Sequence, residues 1–256
     1  MTIQAKKSVQ LFTFMAEMAQ DAAGTLEKVK ELGFDGVELA GYGNLDADTF
    51  RRKVEELGLE VSSAHVPLDQ WRNDADTVLK ELKAMNCSYV AIPYLDDEEQ
   101  HETGYQNLIA LMKELAPKVK AYGMTLCYHH HDFELQHTMA DGRSALKAIL
   151  EDTAEAGVLP EFDVYWLKKA GENPLDWVKA YKDQLKVIHM KDMTTDGKAF
   201  FAELGTGGVD VKGLLDELQS SSLDWLIVEQ DQTTKTPYES MKESMTFLNR
   251  YEEATT

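Results

Sequence analysis

Residues 121–134 read Ala-Tyr-Gly-Met-Thr-Leu-Cys-Tyr-His-His-His-Asp-Phe-Glu. The stretch before them places Leu108, Leu111, Met112 and Leu115 on one helical face. Gly123 then supplies the left-handed residue that ends such a helix. Thr125–His129 follows as a short apolar run, which reads as a strand buried on both faces. The strand ends in a block of imidazoles and carboxylates.

The same unit recurs along the chain. Apolar runs rich in β-branched residues occupy Val9–Phe14, Gly36–Ala40, Glu60–Val66, Tyr89–Tyr94, Thr125–His129, Glu161–Tyr165, Lys186–Met190 and Trp225–Gln230. Amphipathic stretches separate them, with Leu26, Val29 and Leu32 on one face of the first and Phe50, Val54 and Leu57 on one face of the second. Gly33 and Gly58 end helices just before strands, as Gly123 does. Asp210 and Thr236-Pro237 carry helix-start signals. Alternation of this kind implies a parallel sheet. Eight units in 256 residues predict one (β/α)₈ TIM barrel domain over 1–256, a fold that takes about 250 residues. No glycine-rich nucleotide fingerprint follows any strand.

The formal net charge is −19. That argues against nucleic acid and against anionic membranes, both of which select basic faces. Cys87 and Cys127 lie in apolar stretches and read as buried free thiols. The N-terminus lacks a leader pattern, and no stretch approaches the roughly 18 apolar residues of a membrane span. A cytoplasmic location is the expectation.

In a barrel of this kind the chemistry belongs to the carboxyl ends of the strands. Three consecutive strands end in Asp163, His189 and Glu229. Carboxylates crowded there would repel or take up protons unless a cation neutralised them. Mixed carboxylate and imidazole ligands suit Mn²⁺, Co²⁺, Fe²⁺ or Zn²⁺. A fourth ligand is expected from the fifth strand, where His129, His131 and Glu134 compete. His130 reads as a solvent-facing or packing residue. His65, Trp166 and Glu38 are expected to line the substrate pocket, with core packing the alternative for Trp166 and a helix-facing charge for Glu38. Lys191 is expected to contact substrate oxygens or else to pair with Asp192 or another acid. The glycines of Gly205-Thr-Gly207-Gly208 have no basic residue among them and read as a flexible lid rather than a phosphate loop.

Four motifs give the chain a resemblance: residues 128–134 (Tyr-His-His-His-Asp-Phe-Glu), 162–166 (Phe-Asp-Val-Tyr-Trp), 188–192 (Ile-His-Met-Lys-Asp) and 228–229 (Val-Glu). Over essentially its whole length it resembles the xylose isomerase-like barrels, grouped as sugar phosphate isomerases/epimerases. The resemblance implies one divalent metal, manganese first, with cobalt, iron, zinc or magnesium as alternatives. It implies a Glu, Asp, His, Glu ligand set, which Asp163, His189 and Glu229 match in three places. The fourth place departs from the pattern, because His129 stands where many relatives have glutamate. Glu134 is expected to be that ligand, with His131 next. It also implies a sugar-like substrate and, often, a homodimer.

The implied reaction is isomerisation or epimerisation of a keto-sugar through an enediolate. Glu229, His129 or His131 would move the proton, with Lys191 beside them. Dehydration of an inosose or cleavage of a 3-keto-glycoside shares the same first step. An abasic-site endonuclease and a non-catalytic barrel are the remaining alternatives, and the acidic balance weighs against the first.

Overall fold

The computed structural model describes residues 4–255. Residues 1–3, part of the stretch read as lacking a leader, lie outside it. Eight parallel strands close on themselves: β1 (Lys6–Gln10), β2 (Gly36–Leu39), β3 (Glu60–His65), β4 (Tyr89–Ile92), β5 (Thr125–His129), β6 (Leu159–Asp163), β7 (Val187–Met190) and β8 (Trp225–Val228). β1 closes the barrel by pairing with both β2 and β8. The (β/α)₈ expectation holds. Among the described residues no helix is long and apolar enough to cross a membrane.

The helices that pack outside include α1 (Met15–Glu31), α2 (Ala47–Leu57), α3 (Leu68–Ala84) and α4 (Glu102–Ala121). Then come α5 (Phe133–Gln136), α6 (Ala145–Thr153), α7 (Val164–Lys169), α8 (Pro174–Tyr181), α9 (Val211–Leu218) and α10 (Pro237–Thr255). Gly33, Gly58 and Gly123 take the left-handed φ their positions require. Asp210 accepts the Gly213 amide at the start of α9, and Thr236 and Glu239 exchange hydrogen bonds at the start of α10.

Only Thr125–His129 keeps both of its expected bounds, and the first and sixth strands depart most from the sequence reading. The first strand begins and ends earlier, because Leu11–Phe14 coils into a 3₁₀ turn capped by the Gln10 side chain. The sixth stops at Asp163, whose carboxylate accepts the Tyr165 and Trp166 amides and so starts α7. An apolar run cannot by itself distinguish a strand from the buried first turn of a helix.

Side chains alternate between the two sides of each strand, so positions two apart share the barrel interior. Low in the barrel the interior is apolar, filled by Ala91, Cys127, Val187, Trp225 and Ile227 with Tyr89 and Leu159. One pleat higher it turns polar: Glu38, Ser63, His129, Glu161 and His189 are all buried. Both cysteines are free and buried, as expected.

Candidate active site

The pleat places the reactive groups in tiers. β6 turns Glu161 and Asp163 inward, β7 leads from His189 to Lys191, and β8 leads out to Glu229 and Asp231. Two groups of ligand-competent atoms result, each within 4.8 Å of one another: Asp163, His189 and Glu229, and below them His65, His129, Glu161 and His189.

The upper group holds Lys191. Its ammonium is buried and hydrogen-bonds Asp231 at 2.6 Å. It also lies 2.7 Å from Glu229 and 2.9 Å from Asp163. Burial alone would strip its proton, but the three carboxylates outweigh that and hold it charged well above the ordinary lysine range. Asp163 Oδ1 is spent on helix amides, whereas Oδ2 is buried and has no well-aligned hydrogen bond. A carboxylate oxygen without a well-aligned partner, an imidazole and a second carboxylate, all within 4.8 Å of one another, are a donor set that a divalent cation takes. The residues present therefore fit such an ion. The ion-pair expectation for Lys191 is met by Asp163, Glu229 and Asp231 and not by Asp192.

His189 ties the two tiers together, with Nδ1 2.8 Å from Glu229 and Nε2 2.7 Å from Glu38. Glu38 also accepts from Gln10 and Ser63, both at 2.6 Å. Burial opposes its charge, but His65, His189 and these donors outweigh burial and hold Glu38 down at about 2. Burial and the neighbouring Glu38 charge push Glu161 up to about 7. His65 Nε2 lies 2.9 Å from Glu161 and 3.4 Å from Glu38. Burial works against the His65 charge, yet the two carboxylates prevail and raise its pKa.

The three histidines after β5 have separate environments. His130 packs internally, as expected: its Nδ1 faces the His131 carbonyl at 2.8 Å and its Nε2 accepts the Asp163 amide at 3.2 Å. His131 lies in an aromatic box of Tyr94, Phe133 and Trp166. Its Nδ1 is buried without a partner. Burial keeps His129 and His131 well below the usual imidazole range, hence neutral.

Glu134 does not join either group. Its carboxylate accepts the Tyr128 hydroxyl at 2.7 Å and the His131 amide at 2.9 Å. Sequence spacing alone could not show this, because α5 begins at Phe133 and turns the side chain back under the strand end. Trp166 packs at a tilt against His131 and Glu38 lies against His65 and His189, and neither forms part of the cavity wall.

The glycine loop differs from the lid reading. The amides of Gly205, Gly207 and Val209 donate to the buried Asp192 carboxylate at 3.0, 2.9 and 2.9 Å. The loop is an anion cradle filled by the chain's own carboxylate, which fixes the segment after β7.

Above the two groups opens a cavity of about 670 Å³, whose wall includes His65, His129, His131, Lys191, Glu229 and Asp231. Sequence reading missed Glu161 and Asp231. Glu161 lies two residues from Asp163 and so shares its side of β6, and Asp231 lies two residues past Glu229, beyond the end of β8.

A family model described as the xylose isomerase-like TIM barrel matches residues 26–251. Inosose dehydratase from Lacticaseibacillus casei is 27% identical over 176 residues, covering 61% of this chain and 56% of that protein. The chain thus spans little more than half the length of that relative. Inosose dehydratase from Clostridium perfringens is 26% identical over 238 residues, covering 78% of this chain and 79% of that protein. A sugar phosphate isomerase/epimerase from Parabacteroides distasonis superposes with TM-score 0.77 at 22% identity, over 96% of this chain and 98% of the other. A structure of L-ribulose 3-epimerase superposes with TM-score 0.72 at 16% identity, over 98% and 95%. Likeness at these identities shows the fold.

Proposed function

Since this chain belongs to the xylose isomerase-like TIM barrel family, we propose that it is a divalent-metal-dependent enzyme that takes a proton from the carbon beside a carbonyl of a sugar-like substrate, with loss of water as the outcome. Asp163, His189 and Glu229 would hold the ion. A divalent cation there supplies Lewis acidity, polarising the carbonyl and stabilising the oxyanion that proton removal creates.

One observation carries the reading. Two imidazoles of opposite character, His131 and His65, face the same cavity. His131 is neutral, boxed by aromatic rings and part of the cavity wall, and with Nδ1 buried its other ring nitrogen, Nε2, is the one assigned to take the proton. His65 is held by Glu161 and Glu38 and keeps its proton, so it can give one to a departing hydroxyl. Lys191 stays charged and offsets the developing negative charge. An elimination needs such an unlike pair, and the curated relatives bear the name inosose dehydratase. Isomerisation or epimerisation is the second reading. Glu229, an ionised carboxylate on the cavity wall, would then take the proton and return it to the neighbouring carbon.

The test is solvent deuterium uptake by an inosose and by a ketohexose, followed by mass spectrometry with Mn²⁺-loaded protein. We expect uptake beside the carbonyl, with a dehydrated product. His131→Asn should slow uptake by roughly 100-fold or more while leaving bound metal unchanged. Uptake that is unaffected by His131→Asn contradicts the assignment.

A further inference from the structure

The cavity is larger than a bare sugar ring needs, and its two ends differ in chemistry. At about 670 Å³ it has room for roughly 20 waters of about 30 Å³ each. A six-carbon cyclic keto-polyol has about a dozen non-hydrogen atoms, while cavities of ~300–1,000 Å³ hold drug-sized ligands. The imidazoles, Lys191, Glu229 and Asp231 come from β3 and the β5–β8 side. Across from them Met15, Leu39, Tyr42, Val66, Val78 and Leu82 form an apolar end. The one carboxyl side chain in that end, Glu81, accepts the Tyr42 hydroxyl at 3.0 Å.

The rim carries the same bias. Phe12, Met15 and Tyr94, exposed at 41%, 51% and 40%, are the large hydrophobic side chains left in solvent among the described residues. All three line this cavity. Three exposed apolar side chains gathered around one opening mark a binding surface rather than scattered surface residues.

We infer that the substrate is amphipathic: a polyhydroxylated ring at the histidine end, joined to an apolar, aromatic-sized substituent that fills the end bounded by Met15, Tyr42 and Val78. The inference rests on the proposed reading of the polar end as the site for a sugar-like ring. It narrows the substrate class from free keto-polyols to glycoside-like molecules with an apolar aglycone.

Calorimetry with methyl β-D-glucopyranoside and phenyl β-D-glucopyranoside on the Mn²⁺-loaded protein tests this. Burying the phenyl ring should favour the aryl glycoside by roughly 10- to 100-fold. Met15→Asp, at an exposed rim position that tolerates a charge, should cut that preference several-fold and leave the methyl glycoside unaffected. Val78→Asp, placed deeper, should abolish it. Equal or undetectable binding of both glycosides overturns the inference, as does an aryl preference untouched by Met15→Asp. If deuterium uptake fails for every ketone while the aryl preference stands, the proposed chemistry fails and the apolar subsite survives. If bare keto-polyols exchange and the preference is absent, only the subsite fails.

Discussion

Glu134 grips the backbone of His131: its Oε2 accepts the His131 amide at 2.9 Å while Oε1 accepts the Tyr128 hydroxyl. The carboxylate thereby fixes the turn that presents the His131 ring. It is fully buried, and burial outweighs the two donors, raising its pKa from 4.5 to about 7. A raised carboxyl pKa means the folded state binds the proton more tightly than the unfolded chain. Its stabilising share is present below about pH 4.5 and is lost as pH rises through about 7. That gap corresponds to roughly 3 kcal/mol. Urea midpoints of the parent and Glu134→Gln should therefore move apart with pH, the parent losing relative stability between about pH 5 and about pH 8. A constant difference across that range contradicts the burial argument.

Lys191 competes with any cation for Asp163 and Glu229, from which its ammonium lies 2.9 and 2.7 Å. Lys191→Met removes a buried positive charge a few ångströms from the ion's position. Even at a high effective dielectric constant that repulsion is worth more than a factor of ten. Mn²⁺ should bind Lys191→Met at least about tenfold more tightly than the parent, while turnover falls. Weaker Mn²⁺ binding would mean that Lys191 supports the ion instead of opposing it.

Asp192 organises the segment after β7 through four amides, those of Met193, Gly205, Gly207 and Val209. Asp192→Asn replaces one acceptor oxygen with a donor facing these amides and should cost about 2–4 kcal/mol. Gly207→Ala should act alike, because a Cβ there would lie 2.2 Å from the Met193 carbonyl oxygen. Both variants should speed proteolysis within 203–209. Parent-like stability and parent-like cleavage in both would restore the mobile-lid reading.

The barrel was legible because short runs such as Tyr89–Ile92 and Trp225–Val228 are apolar throughout and the helices between keep a 3.6-residue stripe. Asp163, His189 and Glu229 were legible because they end such runs on consecutive strands. Glu161 was hidden because it sits inside a strand, where the eye follows Phe162 and counts the run as core. Glu134 was misleading for a local reason: four residues of helix after His131 decide where its side chain points, and sequence spacing carries no such angle. The glycine loop was misread because its partner, Asp192, is more than ten residues away in sequence.

Manganese titration followed by electron paramagnetic resonance tests the central assignment most directly. The parent protein should bind one Mn²⁺ per chain at micromolar concentration or below, and Asp163→Asn should lose that ion while keeping its circular dichroism spectrum. A folded Asp163→Asn protein that binds manganese as the parent does, or a parent that binds none, would contradict an ion held by Asp163, His189 and Glu229.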